Sequence, residues 1–348
     1  MTRSTNNPWL ARFSVFTVLA TFVLIGAGGI VTSKEAGMAV PDWPNSYGYN
    51  MFLFPVSQWV GGIFFEHVHR LAASGVGFLT LILAGWLWCK EARSWMRTLG
   101  FVAVFAVILQ GVLGGLRVVL KLDHLGIPHA ALAQAFLCLL VAISVFLSQW
   151  WQNLTPAIAE LSAASATRLR GFVIVTTVMI FVQLMLGASM RHQHAGLAVP
   201  DFPLAYGKVW PATDANSIDL YNRTRTDIRD FKPITAAQIY LHMTHRIMAL
   251  VILLHVALCY VKARKMGSGP GFRRLTGGWL ALILLQAVLG IVTVLKNKPA
   301  DIATAHVVVG AASLAFGALI SMMLVRLARS AAPEAASGFR TVLAGSRG

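Results

Sequence analysis

Charge is what this chain has least of. Of 348 residues only 12% are Asp, Glu, Lys or Arg, against 57% hydrophobic, whereas a soluble domain carries about a quarter charged residues. The mean hydropathy is +0.67. Together these exclude an ordinary water-soluble enzyme. Acids are the scarcer sign, 13 against 29 Lys and Arg, for a net charge of +16. Cysteine is limited to Cys89, Cys138 and Cys259. All three fall within apolar runs or at their basic ends, not in an outer loop where an oxidising compartment favours disulfides. That excludes a disulfide framework, and the thiols read as small apolar packing groups.

In place of charge there are apolar runs of roughly 20 residues, the length that crosses a hydrocarbon core of about 30 Å. They predict eight transmembrane helices, over 13–33, 60–89, 98–120, 128–149, 171–190, 238–261, 275–295 and 303–327. The side holding both termini carries 16 of the 29 Lys and Arg, with only Glu91, Glu160 and Glu334 among acids. The other side and its helix ends hold 13 basic and 10 acidic residues. Excess Lys and Arg mark the cytoplasmic face, so both termini are expected inside. The positive charge thus orients the chain and implies no nucleic-acid partner. A basic leader before the first run resembles a signal peptide, but an internal repeat gives that run a counterpart deep in the chain and argues against cleavage. The leader is also too short for an organelle transit peptide. A bacterial inner (cytoplasmic) membrane is the expected location.

The repeat organises the sequence. Ala36-Gly37-Met38-Ala39-Val40-Pro41-Asp42-Trp43-Pro44 recurs as Ala195-Gly196-Leu197-Ala198-Val199-Pro200-Asp201-Phe202-Pro203, continuing through Tyr47-Gly48 and Tyr206-Gly207, at an offset of 159. His69-Arg70 recurs as His245-Arg246, and Gln110 through Gly114 as Gln286 through Gly290, at an offset of 176; His129 matches His306 at 177. The change of offset places the insertion in the polar stretch 208–235, an enlarged outer loop. The expected architecture is an all-α membrane protein of two tandem pseudo-symmetric four-helix bundles, N-in and C-in. Its parts are a cytoplasmic N-terminus 1–12, an N-terminal half 13–150, a cytoplasmic linker 151–170, a C-terminal half 171–328 and a disordered polar tail 329–348.

Only four of the ten histidines are paired by the repeat. Each of His69, His129, His245 and His306 stands 17 to 21 residues from the cytoplasmic end of its helix, roughly 25–32 Å at the helical rise. All four imidazoles therefore share one depth near the outer boundary. Two histidines per half with no matched third ligand suit the two axial positions of a heme better than zinc, which usually takes three or four protein ligands. His67, His124, His192, His194 and His255 have no repeat partner and read as interfacial or packing residues.

The halves differ at one chemically telling place. Glu66, three residues before His69, has His242 as its counterpart before His245. A carboxylate at the membrane boundary is costly and usually functional. It would lie near the edge of a macrocycle held by His69, able to move protons or stabilise positive charge. Arg70 and Arg246 either pair with heme propionates, which suit the guanidinium fork, or snorkel to headgroups. Asp42 and Asp201, between prolines and aromatics, read first as rigid loop structure, with loops covering the macrocycle edges as the alternative.

With a histidine in the second and fourth helix of each half, and Glu-x-x-His-Arg at Glu66, His69 and Arg70, residues 10–328 resemble the heme A synthase family. The resemblance implies oxidation of a ring methyl of heme O to a formyl group, giving heme A for heme-copper oxidases. It implies that His69 and His129 embrace the substrate heme O with Glu66 assisting, and that His245 and His306 ligate a heme b that passes electrons. Heme O synthase and oxidase assembly factors would be the partners, beside the lipid bilayer; a homo-oligomer is left open. Many bacterial members carry a cysteine pair in the first outer loop, and 32–59 has none, which puts a thiol-disulfide step in doubt here. The alternative is a di-heme cytochrome b that oxidises quinol, for which the Glu66 asymmetry has little use. A transporter is disfavoured because no matched charge lies at the midplane.

Overall fold

The computed structural model describes residues 6–225 and 233–330. Among these, eight helices are long and apolar enough to span a membrane. They are numbered α1 (Pro8–Ser33), α2 (Gly61–Lys90), α3 (Ser94–Val119), α4 (Gly126–Leu147), α5 (Ala163–His192), α6 (Ala236–Lys265), α7 (Pro270–Leu295) and α8 (Ala300–Arg329). No β-strand occurs among the described residues, only two isolated bridges, Ser46 with Tyr49 and Ala205 with Lys208. The chain is an all-helical multi-pass membrane protein.

Several helices outrun the apolar spans, and capping chemistry explains where they begin. Asn7 accepts hydrogen bonds from the backbone of Trp9 and Leu10, both 3.1 Å, with Pro8 in the first turn, so α1 starts ahead of residue 13. Ser162 caps α5 by accepting from Ser165 N. The helix therefore begins at Ala163, inside the stretch expected to be linker, because its first turns are polar enough to escape a hydropathy reading. Thr235 and Gln238 form a reciprocal capping box at the start of α6. That helix runs on to Lys265, its basic last turn favourably placed against the helix dipole. The enlarged loop 208–235 contains a ten-residue helix, Ala215–Thr224, capped by Asp214 and held by Tyr221 stacked on Tyr206 at 3.6 Å. The tail expected to be disordered lies, beyond Ser330, outside the described residues.

Helices α1 to α4 pack as a ring, α1 on α2, α2 on α3, α3 on α4 and α4 back on α1; α5 to α8 pack the same way. The two rings meet where α8 lies on α1 and α4, and α4 on α5. The central position of α8 follows from its sequence. Gly310, Ala311, Ser313, Ala315 and Gly317 are all buried, and small side chains let helix backbones approach when lipid removes the hydrophobic incentive to associate. Half of its apolar window is buried, 50% against 11% for α7. Elsewhere Phe16, Leu19, Phe101, Phe105, Leu250 and Leu254 remain exposed, apolar side chains suited to lipid surroundings. Thr17, Thr21, Thr80 and Thr176 each donate to the carbonyl four residues earlier, as a hydroxyl away from water must.

Candidate functional site

His69 and His245 stand in the third turns of α2 and α6, His129 and His306 in the second turns of α4 and α8. All four are at the end of the helices opposite Pro8 and Arg329. His69 lies within electrostatic range of His129, and His245 of His306. Each ring rests against a glycine of a neighbouring helix. A Cβ at Gly28 would come within 3.0 Å of His69 Cε1, one at Gly187 within 3.4 Å of His245, one at Gly114 within 3.2 Å of His129 and one at Gly290 within 3.1 Å of His306. Gly28 and Gly187 are separated by 159, Gly114 and Gly290 by 176. The same seat is therefore built twice, from α1 and α3 in one ring and from α5 and α7 in the other. These glycines escaped the sequence reading except where Gly114 and Gly290 fell within the matched run.

The Nδ1 atoms separate these four histidines from the other helical ones, although His67 has an unpartnered Nε2. Nδ1 of His69, His129, His245 and His306 is buried without a hydrogen-bond partner, and each residue keeps partial exposure. The unmatched helical histidines use theirs. His67 Nδ1 meets Ser46 Oγ at 3.2 Å, with the ring between Phe54 and Trp59; His192 Nδ1 meets Asp123 at 3.2 Å; His255 Nδ1 meets the Val251 carbonyl at 2.9 Å. His242, the counterpart of Glu66, meets the Ala195 carbonyl at 3.2 Å. A buried polar atom without a partner is uncommon in native proteins. Two imidazoles per ring in that condition are a donor set that fits a bis-histidine heme. No group of three or more His, Cys, Asp or Glu able to hold a metal ion occurs among the described residues.

Beside each pair a loop is clamped by arginine in the same way twice. Arg70 donates to the carbonyls of Val40 (2.8 Å), Asp42 (2.6 Å) and Asn45 (3.0 Å). Arg246 donates to Val199 (3.0 Å), Asp201 (2.7 Å) and Leu204 (3.0 Å), each 159 residues on. The loops share their internal bonds as well. Asp42 accepts from Tyr47 N and Gly48 N at 2.7 and 2.8 Å, Asp201 from Tyr206 N and Gly207 N at 2.7 and 2.9 Å. Tyr47 and Tyr206 adopt φ of 51° and 52° and are followed by glycines at 77° and 74°, a pair of left-handed residues tolerated because the aspartate collects both amide protons. The rigid-loop reading of the two aspartates therefore matches their hydrogen bonding. Burial would raise the Asp42 carboxyl, but the Gly48 and Tyr47 amides, with Arg70 nearby, hold it below the ordinary value of 3.8.

Glu66 is where the two sites part. It is 4% exposed, pairs through Oε1 with Arg70 at 2.8 Å and accepts from Val40 N through Oε2 at 2.9 Å. The carboxylate ties α2, its arginine and the loop into one unit. The terminal nitrogens of Arg70 already serve four acceptors, which uses all four of their protons, whereas those of Arg246 serve three and keep one.

A second charged group, unmatched by the repeat and missed in the sequence, lies between the rings. Arg117 at the end of α3 bonds Asp123 at 2.5 and 3.2 Å and the Gly37 carbonyl at 3.3 Å, and Asp123 also faces His192 of α5. Arg191, next in the chain, donates to the Gly29 carbonyl at 2.7 Å and to Ser33 Oγ at 2.8 Å, both on α1. Hydropathy registers such residues only as helix ends, and the partners are up to 162 positions apart.

Known proteins resemble this chain over nearly its full length. It is 24% identical over 337 residues to the heme A synthase of Lysinibacillus sphaericus, covering 93% of this chain and 97% of that one. It is 28% identical over 350 residues to the heme A synthase of Geobacillus kaustophilus, 94% of each, and 25% over 319 residues to that of Shewanella oneidensis, 86% and 90%. The COX15-CtaA profile, described as cytochrome oxidase assembly protein, matches residues 11–318, from the first turn of α1 into α8 and so across both histidine pairs. The chain belongs to the COX15-CtaA family of cytochrome oxidase assembly proteins, the family of the heme A synthases.

Proposed function

We propose that this chain is a heme A synthase, an oxidoreductase that converts the ring methyl of heme O to the formyl group of heme A. The observation that carries the reading is the doubled pair of seated histidines with open ring nitrogens, joined to a carboxylate in one ring only. Relatives of that name along the whole chain support it; they do not favour a di-heme cytochrome b that only oxidises quinol.

In this reading the rings are two tandem pseudo-symmetric bundles, 13–150 and 171–328, in a bacterial inner membrane. Both termini are cytoplasmic and the sites lie toward the outer face. The doubled loop bonds and glycine seats support the symmetry, and the distribution of Lys and Arg supports the orientation. His69 and His129 hold the substrate heme O; His245 and His306 hold heme b. Heme b supplies one-electron transfer when bound. The chain's own residues do the rest. Gly28, Gly114, Gly187 and Gly290 let the helices close on the imidazoles and fix their planes. The loops pinned by Arg70 and Arg246 lie over the site edges and exclude water, and it is through them that the two arginines contribute to cofactor binding. Glu66 holds a proton acceptor beside the substrate pair; each carboxylate oxygen retains a lone pair after bonding Arg70 and Val40, so it can take a proton released by the oxidation without leaving its place. A heme O synthase must supply the substrate, and assembly of heme-copper oxidases consumes the product.

The test is pigment analysis of the purified protein after co-expression with a heme O synthase. Heme A in the extract, absent when His69 or His129 is replaced by Ala, is the expected outcome. A preparation that carries heme b but never yields formylated heme would leave only the cytochrome.

A further inference from the structure

Among the described residues Arg191 is a cation with no carboxylate beside it. Its guanidinium is largely enclosed by protein, while part of the residue stays accessible. Among the described residues its bonds are from Nη2, to the Gly29 carbonyl and Ser33 Oγ. No carboxylate among the described residues pairs with it; the neighbouring Asp123 faces Arg117 and His192 instead. Ser33 in turn meets Thr304 Oγ at 3.4 Å, two residues before His306 on α8, and Arg191 lies within electrostatic range of His306 itself. An enclosed charge at membrane depth is stable only when paired. Among the described residues no carboxylate supplies the partner.

We propose that Arg191 binds an acidic group of the ligand held by His245 and His306, which for a heme is a propionate carboxylate. This rests on the heme reading above and adds to it a specific anchor for the resident cofactor. The counterpart of Arg191 in the first ring is Thr32, and the counterpart of Arg117 in the second is Thr293. Each site therefore has one such arginine, but they differ in state. Arg117, within electrostatic range of His69 and His129, is already neutralised by Asp123; Arg191 is not. A ligand carboxylate gains a full charge-assisted pair at the second site and must compete with Asp123 at the first. The asymmetry is what a permanent cofactor and an exchanging substrate require.

The experiment compares wild type with Arg191→Gln, Arg191→Lys and Ser33→Ala, each purified as the holoprotein. It measures bound heme b, its rate of transfer to apomyoglobin and its midpoint potential. Loss of one charge-assisted bond should speed transfer from Arg191→Gln by about 10- to 100-fold. Its potential should fall, because a lost cation favours the ferric state. Arg191→Lys should recover part of both, and Ser33→Ala should match wild type, since it removes an interface bond and keeps the charge. Unchanged transfer and potential in Arg191→Gln would overturn the inference while the heme reading stands. Equal losses in Ser33→Ala would overturn it in favour of a purely structural role at the interface. Wild type without heme b would remove the heme reading and this inference together.

Discussion

Glu66 and Arg70 illustrate how much of a buried pair's meaning lies in its other bonds. Both are nearly inaccessible, 4% and 9%, and the pair alone would repay little of its desolvation. Three loop carbonyls and the Val40 amide complete the shells of the two groups, and that makes the arrangement stable. Removing the carboxylate should therefore have two separable effects. Glu66→Ala strands the guanidinium and the amide and should cost about 3–5 kcal/mol in stability. Glu66→Gln keeps an acceptor for Arg70 and should cost far less, yet it removes the proton acceptor and should lower turnover about 100-fold with the heme spectrum intact. Thermal unfolding in detergent and single-turnover assay of heme A distinguish them; a fully active Glu66→Gln would end the proton-accepting role. The pattern Glu66, His69, Arg70 was legible in the sequence because the repeat isolates it. The partners were not, since backbone carbonyls carry no residue signature and lie 25 to 30 positions away.

At the scale of elements, the sequence disclosed what repeats or what is apolar and hid what is neither. All eight spanning helices could be read from hydropathy, whereas the polar first turns of α5 and the helix Ala215–Thr224 could not. Their first turns are fixed by single capping side chains, Ser162 and Asp214. The Pro-Asp-aromatic-Pro loops were conspicuous as motifs, but their purpose emerged only from the amides gathered by Asp42 and Asp201. That purpose has a pH signature. The Asp42 carboxyl is held below 3.8 in the folded chain, so its ionised form contributes stability at every pH above the unfolded value. The contribution disappears as pH falls through the folded value. Between about pH 5 and 3 the unfolding temperature of wild type should fall by about 1–3 °C more than that of Asp42→Asn, which should already be less stable at neutral pH. Parallel melting curves for the two would show that the amide cage does not depend on the charge.

At the scale of the whole molecule, the distribution of charge predicts which way it faces. Each pair of spanning helices returns the chain to the side where it began, so eight spans put Pro8 and Arg329 on one face. That face also holds Arg93, Arg168, Arg170, Lys262, Arg264, Arg273 and Arg274. A cytoplasmic leaflet attracts such residues, and translocating them is what the positive-inside bias opposes. The prediction is that the histidine pairs and their loops lie outside, where acids and bases are nearly balanced. The native thiols make this testable. Cys89 is exposed at the terminal face, and Cys259 is buried on α6; Ser217 lies on the short helix of the opposite loop. In right-side-out vesicles a membrane-impermeant maleimide should label Ser217→Cys in a chain whose Cys89 is replaced by Ser, and should leave Cys89 of the unaltered chain unlabelled. Inside-out vesicles should exchange the two results. Were Cys89 to react from outside instead, both histidine pairs would face the cytoplasm. The Lys and Arg would then have been translocated against their bias, and a heme would have to enter from the opposite leaflet.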